Sequence, residues 1–195
     1  MNLLMDILGQ SRKQAIKANA AALYRRVVKQ ARSPGFHEVL EVPDTIDGRF
    51  DLVVLHCFLV LRRLKEDARQ TEALSQALFD AMFLNLDDSL RQMGVGDLSV
   101  GKRIKKMSSA FYGRVNAYDE PLVSGDILGL SEALSRNLFR AEPIDERVVE
   151  AVARYVLQTW NHLQTQPAKH FCLGLVDFEP LDVDLSDQEV RSARA

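Results

Sequence analysis

The sequence predicts an all-α, single-domain bundle of about six helices, with an N-terminal helical arm and an acidic C-terminal tail. Three observations predict it. Period-two alternation of apolar and polar residues bounded by turns is nearly absent, so the strand signal is missing. Apolar residues recur at spacings of three and four through most of the chain, the pattern of helices with one buried stripe. The longest apolar run, 52–61, contains His56 and falls short of the roughly 20 residues that a membrane span needs, so it reads as a buried core helix.

The first helix is expected over 6–32. Ile16, Ala20, Leu23, Val27 and Ala31 lie along one side of it, and Pro34-Gly35 ends it. The stretch 36–47 holds Pro43 and several acidic or turn-type residues and is expected to be a loop or short helical turns. Asp47-Gly48 leads into a second helix, 49–67, apolar almost all round and therefore central. The third, 71–93, takes Thr71 as its N-cap and carries Leu74, Leu78, Met82, Leu86 and Leu90, with Gly94 and Gly96 stopping it. Val100, Ile104, Met107, Phe111, Val115 and Tyr118 define a fourth helix, 100–118. Pro121 and Gly125 mark the next turn, and a fifth helix covers 126–140 with a break expected near Gly129. Pro143 sits where a helix-opening proline belongs, before a sixth helix over 144–163 that Pro167 ends. The chain thus divides into a basic amphipathic helix (1–32), a helical domain (33–176) and a tail (177–195). Six acidic residues stand against Arg191 and Arg194 in that tail, which is expected to be extended or disordered.

A chain of 195 residues can bury roughly 70% of its unfolded surface, so its core needs no staples. Of the two cysteines, Cys57 lies in the apolar run and reads as a buried free thiol, which suits a reducing compartment. Residues 1–8 are apolar, but the segment is short, contains Asp6 and has its positive charges after it, unlike a signal peptide. The expected location is the cytoplasm, with peripheral contact at the inner face of the membrane as an open alternative. A formal net charge of −2 gives no global bias toward nucleic acid, and DNA is not an expected partner.

No catalytic or metal constellation assembles from the sequence. His37, His56, His162 and His170 fall on different elements, and none pairs at the i, i+4 spacing of a helical metal site. His56, in its apolar setting, reads as a core histidine satisfied by a backbone or polar partner. Asp87 and Asp88 are adjacent and point about 100° apart on a helix, so they cannot share a proton. They are expected to reach Arg91 and Gln92 instead. Gly96, Gly101 and Lys102 have the spacing of a phosphate loop. Arg103 replaces the magnesium-binding hydroxyl, however, Asp97 would repel phosphate, and the pattern follows a helix rather than a strand. No cofactor is expected.

Charge is locally polarised. Between Ser11 and Arg32 there are seven basic residues and no acidic one: Arg12, Lys13, Lys17, Arg25, Arg26, Lys29 and Arg32. A second cluster, Arg91, Lys102, Arg103, Lys105, Lys106 and Arg114, is interrupted by Asp97 alone. Such clusters are either solvated helix faces or docking surfaces for an acidic partner, anionic lipid or ribosomal RNA.

The central run Phe83-Leu84-Asn85-Leu86-Asp87-Asp88-Ser89-Leu90-Arg91-Gln92-Met93-Gly94-Val95-Gly96-Asp97 resembles the ubiquinol–cytochrome c chaperone family. So do its continuation Leu98 through Met107, the stretch Ala110-Phe111-Tyr112-Gly113-Arg114, the segment from Gly48-Arg49-Phe50 to His56, and Leu61-Arg62-Arg63-Leu64. The resemblance covers about 24–163. It implies an α-helical fold, no enzymatic activity and a role in assembling cytochrome b, which mitochondrial members hold when newly made, near the ribosome exit and with a small partner protein. It carries over no catalytic residue and points only to the region joining the third and fourth helices. From charge and helical phase, the partner-binding residues are expected to be Asp87, Asp88, Arg91, Asp97, Lys102, Lys105, Lys106 and Arg114, the last four facing solvent. A membrane-surface or ribosomal-RNA binding module without chaperone activity is the second reading.

Overall fold

The computed structural model describes residues 2–140 and 143–181, with residues 2–8 described by backbone alone. Its helices are α1 (Asn2–Ala31), α2 (Gly35–Glu38), α3 (Ile46–Glu66), α4 (Ala68–Gln92), α5 (Asp97–Ser124), α6 (Ile127–Asn137), α7 (Glu146–Thr165) and α8 (Ala168–Cys172), with no strand among the described residues. The six long helices are those the spacing predicts; α2 and α8 are short additions. Helix α3 is the centre. Leu52, Val54, Leu55, Phe58, Leu59 and Val60 are each at most 1% exposed, and the helix packs against α1, α4, α5 and α7. From Ala20 onward α1 is part of this body, burying Ala20, Leu23, Val27 and Ala31.

Several expected boundaries move, each for a local reason. Helix α3 begins at Ile46 because Thr45 caps it, its Oγ1 accepting from the Gly48 N–H at 3.0 Å. Gly48 lies inside the first turn, where a Cβ would meet the Pro43 carbonyl oxygen at 2.0 Å. Thr71 does not cap α4. Its hydroxyl instead donates to the carbonyls of Leu64 at 2.6 Å and Asp67 at 3.0 Å, and so closes the α3–α4 corner from within the helix. Helix α5 runs through Pro121, which stands in its last turn. Gly125, at φ 72°, then caps the end by donating to the Pro121 carbonyl. There is no break at Gly129, whose N–H goes to the Asp126 carboxylate that caps α6. Asp145 caps α7, so Pro143 and Ile144 precede that helix rather than open it.

His56 is fully buried between two partners, the Leu52 carbonyl at 2.7 Å from Nδ1 and the Tyr155 hydroxyl at 2.9 Å from Nε2. Burial pulls its pKa down to about 4, against the Leu52 bond. Cys57 and Cys172 are free thiols, and burial pushes that of Cys57 up. Of the acidic tail, 177–181 are described. Gln166 bonds both the N–H and the carbonyl of Asp177, Gln30 donates to the Glu179 carbonyl, and the Phe178 ring meets His56 at 5.6 Å. The remaining tail residues lie outside the described residues.

Candidate functional site

A groove of about 590 Å³ opens where α1, the α2–α3 link, the C-terminal half of α4 and the start of α5 converge. Its floor is apolar, built from Val28, Phe50, Val53, Leu86, Leu90 and Met93, and its rim carries Arg32, His37, Glu38, Asp44 and Arg49. Each floor residue stands at the edge of a core stripe, and Val28 directly follows buried Val27. The helices therefore present a second, shallower apolar row beside the core. Across the α1–α4 contact, the Tyr24 hydroxyl donates to Asn85 Oδ1 at 3.0 Å, and burial pushes the phenol pKa up. The link is held by His37 Nδ1, 2.7 Å from the Val42 carbonyl. Asp44 takes Arg49 at 2.6 Å, and that hydrogen bond keeps its carboxyl below the usual range. Met107 closes the groove from α5.

The α4–α5 turn borders this groove. Gly94, at φ 79°, adopts the left-handed conformation that ends α4, and the Val95 N–H reaches back to the Leu90 carbonyl. Arg91 binds Asp87 at 2.6 Å, the expected i, i+4 pair, and also Asp97 across the turn. The Asp87 hydrogen bond is the largest cause raising the guanidinium pKa. Asp88 is exposed and has no hydrogen-bond or ion-pair partner among the described residues. The turn also displays apolar surface: Leu98 is 93% exposed and Met93 49%.

Lys102, Lys105 and Lys106 lie exposed on α5 beside Arg103, with no ion pair among the described residues, while Val100 and Phe111 take the core side. Arg114 corrects the expectation that it joins this solvent face. Its side chain is 12% exposed and donates to Asp51 Oδ1 at 2.6 Å; Arg140 donates to the other oxygen at 2.9 Å. Arg114 follows Phe111 by three residues and Met107 by seven, which places it on the packed flank of α5. Asp51, an acid directly before the apolar run 52–61 and buried with it, was the signal for such a partner. Burial pushes its pKa up to about 6 against the pull of Arg114 and Arg140. The expected set therefore splits in two. Asp87, Asp88, Arg91, Asp97 and the lysines form the surface of the α4–α5 turn, and Arg114 belongs to the network beneath it. The groove went unseen at the sequence level. Its one signal is the doubled width of the stripe at Val27-Val28.

Among the described residues no three His, Cys, Asp or Glu side chains gather as metal ligands. The phosphate-loop spacing falls on helix, Gly96 preceding α5 and Gly101 and Lys102 lying within it. No described helix is long and apolar enough to cross a membrane.

The family described as "Ubiquinol-cytochrome C chaperone" matches residues 38–178, which include α3, α4 and α5. Ubiquinol-cytochrome-c reductase complex assembly factor 1 of Xenopus laevis is 28% identical over 170 residues, 87% of this chain and 84% of that protein. Protein CBP3, mitochondrial, of Saccharomyces cerevisiae is 28% identical over 149 residues, 74% of this chain; the match spans 44% of the yeast protein, and 56% of the human assembly factor 1. The crystal structure of the Cbp3 homolog from Brucella abortus superposes with a TM-score of 0.78 at 32% identity, covering 93% of this chain and 98% of that one. The chain belongs to the ubiquinol-cytochrome C chaperone family.

Proposed function

We propose that this chain is a non-catalytic assembly chaperone that works in the cytoplasm and binds newly made cytochrome b during biogenesis of the ubiquinol–cytochrome c reductase (bc1) complex. The observation that carries the reading is the family match over 38–178, a span that holds most of the groove floor and the whole α4–α5 turn. An apolar floor between helices accepts an apolar client segment without demanding polar partners from it. Met93 and Met107 add thioether side chains that adapt to differing client shapes. The unpaired cations of α5 raise the local positive potential and speed encounter with a negative partner, whether an acidic stretch of the client, a small partner protein or the ribosome.

The test is replacement of Lys102, Lys105 and Lys106 by Glu. These side chains are exposed, so stability should stay within about 1 kcal/mol of the parent. In a strain lacking the native protein, the variant should fail to support accumulation of cytochrome b. Wild-type accumulation by a folded variant would show that the lysines are only a solvated surface.

A further inference from the structure

Residues 172–181 run back along α1 toward its C-terminal end. Asn19 donates to the Cys172 carbonyl at 2.7 Å, Arg26 to that of Val176 at 3.4 Å and Gln30 to that of Glu179 at 3.0 Å. Leu181 then lies against Gly35, just past the end of α1, where a Cβ would meet the leucine Cδ2 at 2.9 Å. This edge of α1 is not the groove edge. At about 100° per residue, positions 19, 26 and 30 stand roughly 180° from Tyr24, Val28 and Arg32, which line the groove. A chain on one edge can cross to the other where the helix stops. Pro34, next to Gly35, is itself groove wall, as are His37 and Glu38. The described chain therefore arrives beside the groove at Leu181.

The residues that follow suit what the groove offers. The sequence continues Asp182-Val183-Asp184-Leu185-Ser186-Asp187-Gln188-Glu189, four acids with a valine and a leucine among them. Five residues span at most about 17 Å, enough to pass Pro34 and stand over the apolar floor. Two exposed arginines without an ion pair among the described residues flank that floor. Arg32 stands on the α1 wall, and Arg103 precedes Met107 by one turn on the same side of α5. Of the rim acids, Asp44 is already held by Arg49 at 2.6 Å, which leaves Glu38 alone against the two cations.

We propose that the acidic segment 182–189 docks in this groove in the free protein, with Val183 and Leu185 over the floor and its acids toward Arg32 and Arg103. The docking stands apart from whatever else the groove binds. That a client must displace the segment rests on the chaperone reading above. A short tether gives an effective concentration on the order of 1 mM, so a segment that binds with a dissociation constant of only about 0.1 mM fills the groove about nine-tenths of the time. The same occupancy weakens any competing occupant about tenfold. The segment thus keeps the apolar floor covered between clients and yields to one that binds more tightly.

Benzoylphenylalanine in place of Met93, in the purified full chain with no client present, tests this. Irradiation should give an adduct within one chain that maps to 182–189. Mixing isotope-labelled with unlabelled chain should give no mixed adduct. Arg32→Glu with Arg103→Glu should lower the yield at least about fivefold, at unchanged helix content because both side chains are exposed. Adding Asp182→Lys with Asp184→Lys to that variant should restore the yield. The same probe at Leu128, outside the groove lining, should give no such adduct. No adduct from Met93 to 182–189, an adduct between two chains, a yield indifferent to the arginine reversal, or a charge swap that restores nothing would overturn the proposal. Adducts with cytochrome b in cells report on the chaperone reading, so either can fail while the other holds.

Discussion

Replacing Asp51 by Ala should cost about 3 kcal/mol of stability. Its carboxylate, 1% exposed, accepts from Arg114 at 2.6 Å and Arg140 at 2.9 Å and so ties α3 to α5 and to the segment after α6. Removing one partner of a buried ion pair costs about 3–5 kcal/mol, because the surviving charge is left without compensation. Two features put this case at the lower end. Arg140 is 43% exposed and keeps Asp47 at 3.4 Å, so it loses little. Arg114 keeps the carbonyls of Ala110 at 3.2 Å and Asn137 at 3.5 Å, weak substitutes for a carboxylate. With an m-value of about 2 kcal/mol/M, the urea midpoint should fall by about 1.5 M. The double variant Asp51→Ala, Arg114→Met should recover most of that loss, since no buried charge remains. A fall below about 0.3 M in the single variant would refute the reasoning. So would a double variant no more stable than the single one.

Leu78 is 0% exposed, so Leu78→Ala should lower stability by about 2–5 kcal/mol; an unchanged denaturation midpoint would mean that α4 is wrongly phased. His56 predicts a pH dependence. Its folded pKa, about 4, lies below the ordinary 6.5, so between these values the unfolded chain binds more protons than the native one. The contribution is complete above about pH 6.5 and is lost as pH falls toward 4, amounting to about 3 kcal/mol. Urea midpoints of the parent and a His56→Gln variant, compared at pH 7 and pH 4.5, check it. Identical pH dependence in both would contradict the burial argument.

The six long helices were legible because each repeats its apolar residues at three and four over many turns, as Leu74, Leu78, Met82, Leu86 and Leu90 do in α4. Helix α8, with five residues, is too short to show a period. Caps were less legible, since a threonine near a helix start can serve either end of a hydrogen bond: Thr45 accepts as a cap, whereas Thr71 donates backward to carbonyls. The exposed α4–α5 surface could be read from local phase, because Lys102, Lys105 and Lys106 oppose Val100 and Phe111 on one helix. Arg114 could not be placed by its own charge. Its direction depends on Asp51, 63 residues earlier, and only the fold brings the two together. The groove is non-local in the same sense. Val28, Phe50 and Leu86 are unremarkable on their own helices and become a floor only when α1, α3 and α4 meet.

Site-specific photo-crosslinking during synthesis tests the chaperone reading most directly. A photoreactive residue at Leu86, Leu90 or Met93 in the groove, and one at Leu128, exposed on α6 and outside the groove lining, are placed in the full chain in cells making labelled cytochrome b. The account predicts adducts with newly made cytochrome b from the groove positions and none from Leu128. Absence of a cytochrome b adduct at every groove position, or adducts of equal yield from Leu128, would contradict it.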